Sequence, residues 1–205
     1  MGIYTDKVLP RLQDKVMSRK SHRDIRARIC VGLSGDVLEV GFGTGLNVPY
    51  YPSGVTRVLA VEPSRVCRRL AEERIARSTI PVDMAGLTGE RLDFPSETLD
   101  AVLTTWTLCT IPNLPAALDE FLRVLKPGGV FHFVEHGHAP DDKVVRWQRR
   151  IEPLHKKLAG GCHLTRHIPE HIQRAGFRIE QLNSYYVEGE PKPYGYTFEG
   201  VASKA

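Results

Sequence analysis

Short apolar runs rich in β-branched residues alternate along this chain with segments of helical period, which restricts it to βα units wound on a parallel sheet. Val37-Leu38-Glu39-Val40 reads as a first strand, Arg57-Val58-Leu59-Ala60-Val61 as a second and Ile80-Pro81-Val82-Asp83 as a weaker third. Leu99-Asp100-Ala101-Val102-Leu103-Thr104 and Val130-Phe131-His132-Phe133-Val134 supply a fourth and a fifth. Ser64 is a suitable cap for a helix with Val66, Leu70 and Ile75 on one face. Leu114, Leu118, Phe121, Leu122 and Leu125 repeat at three and four, and Lys126-Pro127-Gly128-Gly129 stops that helix. Beyond Gly137 the pattern predicts a polar helix over 141–158 and a break at Gly160-Gly161. A shorter helix follows, with Thr165 as N-cap, Pro169 in its first turn and Gly176 as its stop. Strands over 177–182 and 194–202, joined through 189–195, predict a hairpin. Residues 1–30 form a helical arm with Val8, Leu9, Leu12 and Val16 on one side. The expected fold is a doubly wound α/β sheet of five parallel strands plus a C-terminal β-hairpin, with helices on both faces. Its organisation is an N-terminal helical cap over 1–30 and a single domain over 31–205.

Composition agrees with one globular domain: 205 residues, 41% hydrophobic and 25% charged. No apolar stretch approaches the roughly 20 residues that span a bilayer, and the N-terminus lacks a signal-peptide core, so a cytoplasmic chain is expected. Asp6 stands where a myristoylation signal after Gly2 needs Ser or Thr. Cys30, Cys67, Cys109 and Cys162 form no C-x-x-C pair, which predicts reduced thiols. The net charge of +4 implies no nucleic acid by itself. Basic residues crowd the first thirty positions and recur at Arg146, Arg149, Arg150, Lys156 and Lys157. They read as solvated helix faces, with weak peripheral contact to anionic lipid as the sharper alternative.

Glu39-Val40-Gly41-Phe42-Gly43-Thr44-Gly45 follows the first strand directly, at the carboxyl edge where parallel sheets bind ligands. Glu62 ends the second strand about 20 residues further on, the distance at which an acid meets ribose hydroxyls. The spacing is G-x-G-x-G rather than the dinucleotide pattern, and Glu39 sets a carboxylate where a pyrophosphate would be repelled. A cationic ligand suits that site. S-adenosylmethionine carries an ammonium, a sulfonium and a ribose for Glu62. The bland alternative is that Glu39 is a buried acid paired within the protein and the glycines form only a turn.

These motifs resemble those of the class I S-adenosylmethionine-dependent methyltransferases, with their Rossmann-like sheet. Phe94-Pro95-Ser96-Glu97-Thr98-Leu99-Asp100-Ala101-Val102 and Leu122-Arg123-Val124-Leu125-Lys126-Pro127-Gly128-Gly129 are similar to the later sheet motifs of that family. The resemblance implies cofactor contacts at Glu39, Gly41, Gly43, Thr44, Gly45, Asn47, Glu62 and Pro63. It places Gly89 and Glu90 beside the adenine, and Thr105 and Trp106 near the methionine part. Thr88 stands where many relatives carry an Asp.

A narrower likeness is to the methyltransferase-like branch with thiol S-methyltransferases. It rests on Gly43-Thr44-Gly45-Leu46-Asn47, Tyr51-Pro52-Ser53-Gly54, Leu108-Cys109, Val134-Glu135-His136, Trp147-Gln148, Glu152-Pro153 and Gly161-Cys162-His163-Leu164-Thr165-Arg166. The membrane-anchoring N-terminal segment of eukaryotic members is expected to be missing. This likeness implies methyl transfer to a small, apolar acceptor, foremost a thiol, with a pocket drawn from Tyr4, Cys109, Trp147, Cys162, His163 and Arg166. The alternatives are a phospholipid or a quinone or phenol methyltransferase, and a non-enzymatic partner of another methyltransferase. In-line methyl transfer needs alignment more than a strong base, but an alkyl thiol must ionise. His136, with Glu135 beside it, is the expected acid/base group. The cysteines need not act as nucleophiles. His163, His167 and His171, or His132, His136 and His138, are too weak a pattern for a metal, and none is expected. Oligomeric state is left open.

Overall fold

The computed structural model describes residues 8–204. One sheet holds β1 (Gly35–Val40), β2 (Val55–Val61), β3 (Val82–Gly86), β4 (Leu99–Thr105), β5 (Leu125–His136), β6 (Phe177–Tyr186) and β7 (Tyr196–Lys204). Their spatial order is β3-β2-β1-β4-β5-β7-β6. The first five strands pair in parallel, and β7 runs antiparallel to both β5 and β6. The expected parallel sheet and hairpin are both present. The last strand folds back between β5 and β6, so the hairpin extends the sheet instead of lying apart from it.

Alternation along each strand sorts the core into two layers. Val37, Val58, Ala101 and Leu103 pack with Ile25 and Ile29 of α2 (Lys20–Ile29) and Ala71 of α3 (Arg65–Ala76). Leu38, Val40, Val102, Phe131 and Phe133 meet Leu118 and Phe121 of α4 (Leu114–Val124) and Ile168 and Ile172 of α6 (Ile168–Arg174). Phe131 joins the second layer, its ring 5.7 Å from Phe121 and 5.3 Å from Phe177. Glu39 shares the parity of Val37, so it points toward α2. That orientation decides its chemistry.

Several local expectations are corrected. Ser64 does cap α3, accepting from the Cys67 amide at 3.2 Å, but the buried face is Cys67 and Ala71, with Val66, Leu70 and Ile75 only half-buried. In α1 (Leu9–Met17), Leu9 and Pro10 are buried while Val8 and Leu12 face solvent. Leu125 leaves the helix for the first residue of β5, opposite Leu99. Thr165 does not cap α6, whose N-cap is His167. The Thr165 amide and hydroxyl instead donate to Glu152 at 2.8 Å each. α5 (Asp142–Leu158) runs as expected and ends before Gly160 and Gly161, both at positive φ. A short helix, α7 (Lys192–Gly195), interrupts the hairpin connection. No helix among the described residues is long and apolar enough to cross a membrane.

Candidate active site

β1 lies between β2 and β4, so the crevice at its carboxyl end is the point where strand order reverses, the usual ligand position in such sheets. The glycine loop turns there. Gly41 has φ +77°, and a Cβ on it would fall 2.0 Å from Thr107 Oγ1. Gly43 has φ +59°, but its Cβ would meet only Gly41 O at 3.8 Å. Gly41 is therefore required by packing, whereas Gly43 borders open space. Glu62 accepts from the Gly43 amide at 2.7 Å and the Ser64 amide at 2.8 Å, one on each oxygen. Burial raises its carboxyl above the usual range, with those two amides opposing the shift. A carboxylate has about four lone-pair positions, so both oxygens keep capacity for a ligand hydroxyl. Pro63 is exposed beside it.

Glu39 is 1% exposed. It accepts from Asn47 Nδ2 at 2.9 Å and from the Tyr51 hydroxyl. Asn47 Oδ1 and Thr105 Oγ1 in turn accept from Arg26 Nη1 at 2.7 and 2.9 Å. Burial pushes the Glu39 carboxyl up to about 7, against the pull of the Tyr51 and Asn47 hydrogen bonds and the Arg26 charge. Within the protein the acid is paired with Asn47 and Tyr51, and Asn47 and Arg26 link it to the crevice. Trp106 follows at φ +51°, a left-handed conformation a bulky residue rarely adopts. Its amide donates to Val134 O at 2.7 Å, Arg26 lies 4.9 Å over its ring, and His22 meets it edge-on at 5.0 Å.

Arg26 and His22 are what the sequence reading missed. Arg26 falls in the basic group that reads as a solvated face and His22 in no motif, yet they are 5% and 2% exposed. The signal was present, because His22, Ile25, Arg26 and Ile29 follow i, i+3, i+4, i+7 and form the buried face of α2. Asp14 of α1 adds a clasp from above, accepting from the Thr44 hydroxyl and from Arg74 Nη1 at 2.9 Å, which also donates to Thr44 O at 2.8 Å. Further along the edge, Gly89 is tight against Val40, and Glu90 accepts from the Asn113 amide at 2.6 Å, holding the start of α4.

Beyond β4 and β5 the edge carries sulfur and imidazole. Glu135 is fully buried and accepts from the Thr107 amide at 3.0 Å and the Cys109 amide at 3.4 Å, so it shapes the loop after β4. His136 lies with Nε2 3.4 Å from Cys162 Sγ. Burial alone lowers its imidazolium, but a facing Cys109 thiolate would raise it to about 9. Burial pushes the Cys109 thiol far above its ordinary range. The uncharged pair is therefore the state a low-dielectric site favours at neutral pH. The His163 amide donates to Cys109 O at 2.8 Å, and Arg166 donates to Leu108 O. The structure brings Cys109, Cys162, His136 and Arg166 together. His163 turns its ring to Glu152 at 3.6 Å. Trp147 is 56% exposed on α5 and does not join them. Tyr4 lies outside the described residues. The histidine series do not converge either, since His132 bonds Ile29 O at 2.7 Å while His138 stacks on His167 at 4.0 Å.

Residues 38–133 match the family model described as a methyltransferase domain. The chain is 33% identical over 188 residues to a thiol S-methyltransferase, TMT1B, of Rattus norvegicus, covering 88% of this chain and 74% of that one. The chain belongs to the class I S-adenosylmethionine-dependent methyltransferases. A shorter likeness, 34% over 104 residues and 50% of this chain, is to a phosphatidylethanolamine N-methyltransferase of Cereibacter sphaeroides, 51% of which is covered. Among solved structures, the methyltransferase bound to the Trm112 activator from Haloferax volcanii superposes with TM-score 0.74 at 18% identity, over 99% of this chain and 97% of that one. At that identity it shows the fold alone.

As a member of this family the protein takes its methyl group from S-adenosylmethionine. The crevice fits such a ligand. Gly43 leaves room for close approach, and Glu62 keeps free lone pairs. Arg26 Nε is buried without a hydrogen-bond partner among the described residues, which leaves a donor to be satisfied by something bound, while His22 Nδ1 is left as an unpaired acceptor because His22 Nε2 faces Glu190 at 3.0 Å.

Proposed function

We propose that the protein methylates the sulfur of a small apolar thiol. The observation that carries this reading is the likeness to the thiol S-methyltransferase over 88% of the chain, where the phospholipid enzyme matches half of it. In this reading Glu62 accepts from the ribose hydroxyls, and the spare Arg26 N–H donates to the carboxylate of the methionine part. Trp106, His22 and the loop after β4 exclude water. S-adenosylmethionine, when bound, supplies a methyl carbon on a sulfonium, so the residues need only align a nucleophile behind it. The chemical task left to the protein is to make an alkyl thiol a thiolate. His136 and its two cysteines are the groups at hand for it. Glu135 acts as a positioning residue through the Thr107 and Cys109 amides.

Turnover with labelled S-adenosylmethionine, screened over thiol, phenol, amine and lipid acceptors, tests the reading. Thiols should be methylated best. Activity confined to phenols, or to lipids in micelles, would replace it with the alternative. His136→Ala should leave cofactor binding nearly intact and slow an alkyl thiol strongly, while an electron-poor aromatic thiol, already ionised, is slowed little. The defect should shrink as pH rises past the acceptor's own pKa. An equal loss for both acceptors at every pH would reduce His136 to a packing role.

A further inference from the structure

Cys109, His136 and Cys162 place their ligand atoms within 4.8 Å of one another, and both cysteines are buried with free thiols. The three come from different segments: the loop after β4, the last residue of β5, and the loop after α5. No spacing along the chain could have shown them. A tetrahedral zinc with Zn–S of about 2.3 Å and Zn–N of about 2.0–2.1 Å sets S···N edges near 3.5 Å. Cys162 Sγ lies 3.4 Å from His136 Nε2 and 3.7 Å from Nδ1, beside the ring and not ahead of either nitrogen's lone pair, so the imidazole has to turn for Nε2 to face a shared ion. The segments are also tied together before any ligand arrives. Glu135 holds the Cys109 amide, the His163 amide donates to Cys109 O at 2.8 Å, and Arg166 donates to Leu108 O. Such support, which fixes ligands by bonds behind them, is what metal sites require.

We propose that Cys109, His136 and Cys162 hold a zinc ion whose open fourth position takes the sulfur of the acceptor thiol. Two cysteines and one histidine form a ligand set of catalytic zinc, whereas structural sites are closed by a fourth protein ligand. Among the described residues no fourth ligand completes this group. His136 keeps partial exposure, which leaves a way in. The inference rests on the thiol reading above and says how that thiol is ionised. As the acceptor's sulfur binds the metal, its S–H bond breaks and the proton passes to water. A sulfur lone pair then forms the new S–C bond while the sulfonium C–S bond breaks, its electron pair staying on the departing sulfur. Zinc keeps its oxidation state throughout. The product is a neutral thioether, held more weakly than a thiolate by a cation, so it leaves and water returns.

The test is made on the whole chain, reduced and stripped of metal, then titrated with cobalt(II). Uptake of one cobalt per chain is expected, with sulfur-to-cobalt charge-transfer absorption and the visible bands of a tetrahedral site. Adding 2-mercaptoethanol without S-adenosylmethionine should shift those bands. Cys162→Ser should weaken cobalt binding by about 100-fold or more, and Cys67→Ser, far from the cluster, should not. Failure of the wild-type chain to bind stoichiometric cobalt overturns the site, as does a Cys109–Cys162 disulfide formed in its place. Undiminished thiol turnover by the metal-free chain would overturn its role while leaving the proposed function standing. A thiol-responsive cobalt site with no thiol turnover would do the reverse.

Discussion

Two glycines of one loop separate packing from binding. Gly41→Ala combines a left-handed residue, costing about 1–2 kcal/mol, with a clash against Thr107 that adds about 1–3 kcal/mol. It should lower the urea midpoint of the free protein markedly. Gly43→Ala meets no such neighbour, so it should cost the free protein only the conformational part and lose most of the stabilisation that S-adenosylmethionine confers. Full retention of the S-adenosylmethionine stabilisation by Gly43→Ala would show that Gly43 does not border the ligand. Glu39 makes a pH prediction. Its folded carboxyl, raised to about 7 from an unfolded value near 4.5, favours the protonated acid in the folded state. Stability from this group is complete below about pH 4.5 and is lost as pH rises through about 7. Urea unfolding at pH 5 and pH 8 should therefore show a smaller fall for Glu39→Gln than for wild type. Arg26→Met, which removes the facing charge, should enlarge the fall.

At the scale of elements, the N-terminal arm belongs to the site. α2 delivers Arg26 and His22 to the crevice from a buried face, and α1 clasps the glycine loop through Asp14. The Asp14–Arg74 pair is about a third exposed on each side, so its own worth to stability is small, within about 1 kcal/mol. Asp14→Ala should accordingly leave the unfolding midpoint nearly unchanged and weaken S-adenosylmethionine binding several-fold by calorimetry. An unchanged affinity would mean that α1 merely rests on the loop. α5 behaves differently: Gln148 is buried and bonds Gly137 O at 2.9 Å, while Trp147 one residue before it faces solvent. Adjacent residues on a helix point about 100° apart, which is why a motif containing both placed only one of them inside.

For the whole molecule, a ligand that binds only the folded state adds about 2.7 kcal/mol at a hundredfold over its dissociation constant. A chain of this size gains about 2–4 °C per kcal/mol, so saturating S-adenosylmethionine should raise the melting temperature by about 5–10 °C. No shift would remove the crevice as the cofactor site. The gain is shared by the entire fold because the crevice is built from β1, β2, β4 and α2 together. Its sheet is continuous over seven strands, with Phe131 tying β5 to α4 and β6.

The sequence by itself determined the strands, their parallel order and the glycine turn, because periods of two and 3.6 and the backbone needs of glycine act over a few residues. It also located Glu39 and Glu62 at the carboxyl edge, since strand ends define that edge, while Thr105 came from the family resemblance. Tertiary structure decided what those residues meet. Whether Glu39 faces a ligand or the Asn47–Arg26 chain depends on α2 crossing β1, and the periodicity that marks Arg26 as buried does not say what it meets until that helix is docked. Likewise, Cys109, His136 and Cys162 share one spot only because β4 and β5 are neighbours and the chain returns after α5. Contacts between segments so far apart in the chain follow from packing the whole core, which no local pattern encodes.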